Sequence, residues 1–303
     1  MYRISDKQST YWLSRDFVPA LTIDSGESVE FETKDCLSNA LQKPTDRLES
    51  TSFDKNKTNP ATGPVYIRGA EPGDALEIRI DRIRLKDQAV ITCQARYGVI
   101  GKYFDKTTFR ITPIKNNIIE FNESIRIPVD AMVGGVGVAP ASGTIRTEHI
   151  GSHGGNMDNA MMREGATLYL PVEVQGGLLS VGDVHAAMGD GEINCSAIEA
   201  AAYVTVTVNL RKGMGSKMRY PMLKTDEYFS IVASEKTADE AIDASVDTMA
   251  QLMREYSNAA FDDISMLLSA VGSVQICQVC NHLRTVRFLM PWYILDACGF
   301  ELF

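Results

Sequence analysis

The sequence predicts a mostly β fold with a sandwich or barrel core and a helical segment near the C-terminus. Apolar and polar residues alternate with a period of two through most of the first 210 residues, as they do in half-buried strands. Short turn-forming segments separate these stretches, which favours antiparallel sheets over parallel ones. Helical periodicity is concentrated near the C-terminus.

Each strand is indicated by a run of alternating residues. The runs lie at 29–31, 76–85, 168–174 and 204–210. In the second run the phase slips at Asp81–Arg82 before Ile83 resumes the pattern, which indicates a β-bulge. Residues typical of turns lie between these runs, at 71–74, 175–177 and 189–191. We therefore expect several strands joined by tight connections.

The helical part begins with a capping box, in which Thr237 is followed three residues later by Glu240. Apolar residues then recur on one face, and this spacing predicts a helix over 238–256. A second helix is expected over 261–271. The short apolar run 274–279 that follows it reads as a strand.

A chain of 303 residues is long enough to bury an apolar core without disulfide bonds. Its apolar fraction of 45% excludes a disordered or low-complexity protein. No internal repeat or clear linker divides it. We predict a single unit over 1–303, β-rich over 1–215 and α+β over 216–303.

The charge balance and apolar patterning exclude several partners. Acidic residues outnumber basic ones by 39 to 30, and the resulting field disfavours nucleic acid. No window approaches the roughly 18 uninterrupted apolar residues that a membrane helix needs. The charged N-terminus does not resemble a signal peptide, and the six cysteines are scattered, so we expect free thiols and a cytoplasmic location.

Polar residues and glycines are densest over 134–199, where we expect the functional site. Asp183 and His185 are two residues apart, so an extended backbone would place both on one face. Glu192 follows from a Gly-Asp-Gly turn. One imidazole with nearby carboxylates suits zinc or a similar divalent ion, and calcium is also compatible with the oxygen donors. Alternatively, Asp183 and His185 merely cap the turns of a hairpin.

A second candidate lies in the glycine-containing segment 151–158. His149 and His153 have the spacing of a helical zinc pair, but the glycines make a helix improbable and predict a loop. Gly154 and Gly155 would let backbone N–H groups approach a ligand. Together with His153, Asn156 and Asp158, these glycines predict an oxyanion-binding surface. The alternative is a tight turn stabilised by its own polar groups.

Other motifs in the sequence give weaker indications of a functional site. Cys277 and Cys280 form one CxxC pair within an apolar run, and one pair cannot complete a tetrahedral metal site. We interpret them as buried structural cysteines. The glycines of 134–138 lack the lysine of a phosphate-binding loop, and no Gly-x-Ser-x-Gly elbow occurs. Nucleotide binding and serine hydrolysis are therefore disfavoured.

Several segments together resemble one known family. The strings that carry the resemblance are Glu32–Asp35, Asn59–Tyr66, Gly69–Asp74, Gly134–Pro140, Gly154–Asp158, Leu170–Val172, Gly182–His185 and Gly189–Glu192. In this order they resemble the acetamidase/formamidase family of amide hydrolases. With the helical C-terminal part, the resemblance covers nearly the whole chain.

The resemblance implies a jelly-roll-like β architecture with an α+β portion, and hydrolysis of short linear amides to a carboxylate and ammonia. It also implies a divalent metal, for which we expect zinc, with calcium as an alternative. By position, Asp35, Asp183 and His185 match the metal site, and Glu192 matches the acidic catalytic residue. Asn156 and Asp158 match positions that line the same pocket.

Two departures from the family pattern occur. Ser152 stands where family members often carry proline, and 36–39 replaces a glycine-rich stretch. The resemblance and the apolar segment 288–292 together lead us to expect a homodimer or larger assembly.

Two functional hypotheses follow. The first is a metal-dependent amidohydrolase acting on amides of the formamide and acetamide type. The second is a non-catalytic β-sandwich binding module whose metal is structural. Composition and periodicity do not separate them, because both require the same fold and the same ligands.

Overall fold

A computed structural model describes residues 1–47 and 56–302. Strands account for 43% and helices for 15% of the structure, which confirms the mostly β prediction. None of the described helices combines the length and apolarity needed to cross a bilayer. The six cysteines are free thiols, as expected.

The described residues form 21 strands and three α-helices. In chain order the strands are β1 (Tyr2–Ile4), β2 (Ser9–Thr10), β3 (Trp12–Ser14), β4 (Leu21–Ile23), β5 (Glu27–Thr33), β6 (Ala61–Ile67), β7 (Ala75–Cys93), β8 (Thr108–Lys115), β9 (Ile118–Glu120), β10 (Arg126–Pro128), β11 (Met132–Gly137), β12 (Thr144–Arg146), β13 (Ile150–Gly151), β14 (Gly154–Asn156), β15 (Thr167–Pro171), β16 (Leu179–Ala187), β17 (Ile198–Arg211), β18 (Met222–Lys224), β19 (Tyr228–Glu235), β20 (Ser273–Gln278) and β21 (Arg284–Pro291). The helices are α1 (Ala238–Tyr256), α2 (Phe261–Val271) and α3 (Trp292–Ala297). Short 3-10 turns lie at Asp6–Gln8, Gly101–Tyr103 and Gly215–Lys217.

The long strands β7 and β17 organise the sheet. β17 pairs with β7 along most of its length and with β5, and β16 pairs with β17, β6 and β11. Among the described strands only β1–β5 and β4–β6 are parallel pairs. The sheet curls into a half-barrel. β3 and β12 form a separate two-stranded sheet.

The predicted bulge in β7 is confirmed. Thr205 of β17 faces Arg82, whereas the next residue, Val206, faces Ile80, so Asp81 is the extra residue. Because one inserted residue restores the alternation, Ile80 and Ile83 both point into the core. The phase slip in the sequence therefore marks a real irregularity of the strand.

One predicted strand is shorter than expected. The alternation over 168–174 suggested one continuous strand, but β15 ends at Pro171. The N–H of Val172 donates instead to the carbonyl of Asp74, in the turn before β7. Val172 and Val174 are nevertheless buried. The apolar pattern thus predicted the burial of these two residues correctly, but it predicted their strand pairing incorrectly.

The C-terminal part confirms both predicted helices and the strand that follows them. α1 begins with the complete Thr237–Glu240 capping box. Its Met249 and Met253 are fully buried against the sheet formed by β19, β21 and β20. The sequence did not indicate β19, β21 or α3.

The apolar segment 288–292 does not offer the exposed surface on which the oligomer prediction partly rested. Phe288, Leu289 and Met290 lie in β21, and all three are at most 3% exposed. β21 is covered by strands on both edges and by α1. The homo-oligomer stays a prediction, supported by the family resemblance and not by this segment.

A buried carboxylate in the turn before β7, paired with the exposed Lys212, makes stability depend on pH. Asp74 accepts hydrogen bonds from the backbone N–H groups of Glu71 and Gly213 and lies 2.7 Å from Lys212 Nζ. Burial acts to raise the pKa of Asp74, but these donors outweigh burial and lower it. The stabilisation is therefore present above the unfolded-state pKa of about 3.9 and is lost as pH falls through the folded-state pKa.

We expect Asp74→Asn to cost about 1.5–3 kcal/mol of unfolding free energy at pH 7, the range for charge-assisted hydrogen bonds. The cost should be smaller at pH 3, below the unfolded-state pKa of about 3.9, because the advantage of the ionised carboxylate is lost as pH falls toward the lowered folded-state pKa. Urea unfolding at pH 7 and at pH 3 measures the cost. The control is Asp226→Asn at an exposed position, and an equal cost of Asp74→Asn at pH 7 and pH 3 would contradict this account.

Candidate active site

One region of the half-barrel buries five acidic side chains around a single histidine. The acids are Asp35, Asp158, Asp183, Glu192 and Glu199, and each is at most 9% exposed. His185, among them, is 1% exposed. Burying this many carboxyl groups is costly unless protons or cations compensate their charge. The cluster is therefore the strongest candidate for a functional centre.

The predicted pair of Asp183 and His185 does converge. Both belong to β16, and His185 Nε2 lies 3.5 Å from Asp183 Oδ2. Simple alternation along an extended strand does not explain this convergence, because Asp183 has a φ of 53°. This left-handed conformation is rare for a residue with a side chain. The strand is thus distorted at the residue that carries the carboxylate.

Several residues at and around the centre have a left-handed backbone conformation. Positive φ values occur at Asn59 (50°), Asp158 (45°), Asp183 (53°), Glu192 (40°) and Cys195 (58°). Such conformations cost of order 1–3 kcal/mol each and persist only where the surrounding structure enforces them. Strained backbone conformations of this kind are concentrated at functional sites. The periodicity of the sequence does not predict them.

Gly134 has a structural role that the sequence did not reveal. It lies on β11 opposite Asp183, and a Cβ atom there would come within 2.6 Å of Asp158 Oδ1 and 2.8 Å of Asp183 Oδ2. Any larger residue would therefore displace the two carboxylates. Glycine at this position lets both approach the same space.

Glu199 on β17 is a member of the cluster that the sequence analysis did not predict. Its Oε2 lies 3.1 Å from His185 Nε2. Burial alone lowers the pKa of His185, but the negative charges of Glu199 and Asp183 outweigh burial and raise it well above its usual value. A glutamate inside the apolar run 197–210 was the available signal, since a charge in a buried strand needs a partner.

Several polar atoms of the centre are buried without a hydrogen-bond partner. They are Asp158 Oδ1, Asp183 Oδ1, Glu199 Oε2 and both ring nitrogens of His185. The close contacts of His185 Nε2 with carboxylate oxygens lack hydrogen-bond alignment. Atoms of this kind are the ones a bound cation would satisfy.

The donor atoms form two adjacent groups. Cys36, Asp183 and Glu199 make one, and Asp158, His185 and Glu192 make the other. Within each group the donors lie within 4.8 Å of one another. Nitrogen, oxygen and sulfur donors in this combination suit zinc. Burial and the nearby acids raise the pKa of the Cys36 thiol, so a cation is needed to favour its thiolate.

Asp35 belongs to the buried cluster but lies outside both donor groups of the described residues. Its Oδ1 accepts hydrogen bonds from the N–H groups of Leu37 and Asn39, at 3.0 and 2.8 Å, which holds a tight turn. Burial raises the pKa of Asp35 to about 7, with the charges of Glu199 and Asp183 adding to the shift. The structure thus offers Cys36 Sγ, one residue further on, as a donor in this position.

Glu192 is held by the C-terminal part of the chain. The preceding residue, Gly191, donates its N–H to the carbonyl of Cys277 and accepts from the N–H of Val279. Burial raises the pKa of Glu192 to about 7, while His185 opposes the shift and Glu199 adds to it. A carboxyl group with a pKa near neutrality is suited to proton transfer.

The interpretation of the CxxC pair needs a correction. Cys277 is fully buried, as expected, but Cys280 is half-buried and its thiol donates to Glu192 Oε2 at 3.2 Å. Cys280 therefore lies at the edge of the centre and is not buried in the core, contrary to the prediction. This contact depends on the tertiary structure, because the loop after β20 lies against the turn that contains Glu192.

The glycine segment is a hairpin of β13 and β14 rather than an open loop. Asn156 Nδ2 donates to Asp158 Oδ2 at 2.8 Å, and Asn281 Nδ2 donates to the same oxygen at 3.0 Å. Asn59 Nδ2 in turn donates to Asn156 Oδ1. Burial first, and then the charges of Glu192 and Asp183, raise the pKa of Asp158 well above its usual value.

The other predicted residues of this segment have different surroundings. A Cβ on Gly154 would strike the carbonyl of Val136, and one on Gly155 would strike that of His149, so both glycines permit close backbone packing. Burial lowers the pKa of His153 to about 4, and its Nε2 has no partner. Among the described residues, His153 lies outside both donor groups.

Comparison with known proteins identifies similar chains. The model of the Acetamidase/Formamidase family matches residues 6–150 and 140–270. The acetamidase of Bacillus halodurans is 37% identical, with a TM-score of 0.94 over 98% of this chain and 99% of that one. A predicted acetamidase/formamidase of Thermoanaerobacter tengcongensis is 38% identical, with a TM-score of 0.95 over 99% and 98% of the two chains.

An acetamidase of Mycolicibacterium smegmatis is more distant. It is 25% identical, and the match covers 65% of this chain and 64% of that protein. The match thus spans less than two thirds of that relative's length.

Proposed function

This chain belongs to the acetamidase/formamidase family, and from this premise we propose that it is a metal-dependent amidohydrolase. Its substrates are short linear amides of the formamide and acetamide type, which it hydrolyses to a carboxylate and ammonia. The observation that carries the proposal is the group of five buried carboxyl groups around His185, several of whose donor atoms have no partner.

The unpartnered atoms favour a resident cation. Asp183, Glu199 and His185 would hold it, with Cys36 as a further donor and Asp35 beside them. Zinc fits this mixture of donors, and calcium is the alternative because most of the donors are carboxylates. When bound, a divalent ion supplies Lewis-acid chemistry, which makes water a nucleophile near neutral pH and polarises a carbonyl group.

Proton transfer falls to Glu192. Because its pKa of about 7 leaves both protonation states populated, it accepts a proton from the attacking water and returns one to the amide nitrogen. The nitrogen must be protonated before ammonia leaves, since an amide anion is a very poor leaving group. The carbonyl carbon gains the oxygen of water as the C–N bond breaks, which yields the carboxylate.

Asp158 and its two amide neighbours position the substrate. Asn156 and Asn281 both donate to Asp158 Oδ2, so Oδ1 remains directed to the centre without a partner. The raised pKa of Asp158 favours a protonated carboxyl, which donates one hydrogen bond. Fixed donors and acceptors of this kind orient a substrate too small to contribute much binding energy of its own.

Chelation tests the metal requirement. Ammonia release from formamide and acetamide should cease when the protein is stripped of metal and return when zinc is added, because the donor groups lose the ion that compensates their charge. Calcium added in a parallel sample decides between the two ions, and circular dichroism verifies that the stripped protein stays folded. Full activity in a metal-free sample would exclude the proposal.

The alternative function, a non-catalytic binding module with a structural metal, uses the same buried acids. The position and raised pKa of Glu192 favour catalysis over it, since a structural metal site needs no proton carrier at neutral pH. A parent protein that binds metal and releases no ammonia from any short amide would favour the binding module.

A further inference from the structure

A small cavity lies beside the acidic centre, with Leu13 of β3 in its wall. Asp183 and Asn156 form its polar side, and Ser180 of β16 lies next to them. Its interior accommodates about one water molecule, which is close to the size of a methyl group. The cavity is therefore too small for a whole substrate and large enough for the end of one.

The walls of the cavity include both polar and apolar groups. Ser180 Oγ and Asp183 Oδ1 are buried and have no hydrogen-bond partner. Leu13, Ala61 and Val136 also line the cavity and supply apolar surface. Such a space takes a short apolar group whose polar end faces the carboxylates, as the acyl part of a small amide does.

Most of the wall is fixed. Ala61, Val136 and Ser180 belong to paired strands of the main sheet. Gly137 offers no spare room, because a Cβ there would lie 2.7 Å from Leu13 Cδ1. Only a change of side chain can enlarge the space.

Leu13 differs from the other apolar walls. It is 3% exposed, yet it contributes to none of the apolar core clusters that the described residues form. It sits on β3, which pairs only with β12, outside the main sheet. Its side chain lines the cavity without belonging to one of these clusters, which is the arrangement expected of a residue that sets the size of the cavity.

We propose that Leu13 determines the acyl length of the substrate. This inference rests on the proposed amidohydrolase function and adds the residue that selects among amides. The cavity holds the hydrogen atom of a formyl group or the methyl group of an acetyl group, and the Leu13 side chain excludes longer acyl chains.

The test compares two opposite substitutions by their kcat/KM values for formamide, acetamide, propionamide and butyramide. Leu13→Ala should raise the ratio of butyramide to acetamide at least about tenfold, since one methylene in an apolar pocket is worth about 10–200-fold. Leu13→Phe should lower the ratio of acetamide to formamide. Nonspecific damage to the fold does not produce both shifts, and Leu13→Val serves if Leu13→Ala does not fold.

The matched control is Leu252→Ala, which removes the same atoms from a leucine of α1 that is 5% exposed in the C-terminal core. It should lower stability and leave the substrate ratios unchanged. If the parent is active and its ratios persist in the Leu13 variants, the cavity holds water only and the inference is wrong. If the parent hydrolyses no amide, the proposed function itself fails.

Discussion

Glu192→Gln is expected to lower the turnover of acetamide by about two to four orders of magnitude, the range for loss of a general acid–base. Glutamine keeps the size and hydrogen-bonding capacity of the side chain but does not carry a proton between water and the leaving nitrogen. The Cys280 thiol still finds an acceptor, since the amide oxygen replaces Oε2. Ammonia release measures the turnover, and metal analysis of the same sample establishes whether the ion is retained.

Glu235→Gln is the matched control for this variant. Glu235 accepts a hydrogen bond from Tyr220 at the end of β19, so the same carboxyl-to-amide change is made outside the centre. It should retain the parent's turnover. If Glu192→Gln bound metal and hydrolysed every tested amide as the parent does, Glu192 would be a structural residue and the proton carrier would have to be sought elsewhere.

His185→Ala is expected to lose both zinc and amidase activity. His185 is the only histidine in the two donor groups of the described residues, and removing it leaves carboxylates and one thiol. Zinc binding should suffer more than calcium binding, because calcium needs only oxygen donors. We expect the variant to fold and any calcium-type site to survive. Stoichiometric metal analysis after loading with each ion separately measures both outcomes.

His282→Ala is the control for the histidine variant. The His282 ring contacts that of His149 with centroids 4.5 Å apart, and it belongs to neither donor group. It should keep its zinc. A His185→Ala variant that still carried stoichiometric zinc would show that the ligands are assigned wrongly, whatever its activity.

The chemistry of the candidate site was partly predictable because some of its residues are local in the chain. Asp183 and His185 are two residues apart, and Glu192 follows a glycine turn, so their types and spacing suggested a metal or proton-transfer site. Cys36, Glu199 and Cys280 were not predicted. They reach the centre from separate strands and loops, and no local pattern encodes which distant side chains meet.

The sequence by itself determined the strand periods, the bulge at Asp81 and the helix begun by Thr237, since each is visible in the spacing of residues close together in the chain. Only the tertiary structure decided the rest: the end of β15, the burial of 288–292, and the arrangement of the acids. The pairing of β17 with both β5 and β7 brings Glu199 toward the turn after β5. Long-range pairing of this kind also enforces the strained backbone at Asp183, because packing and strand register override local preference.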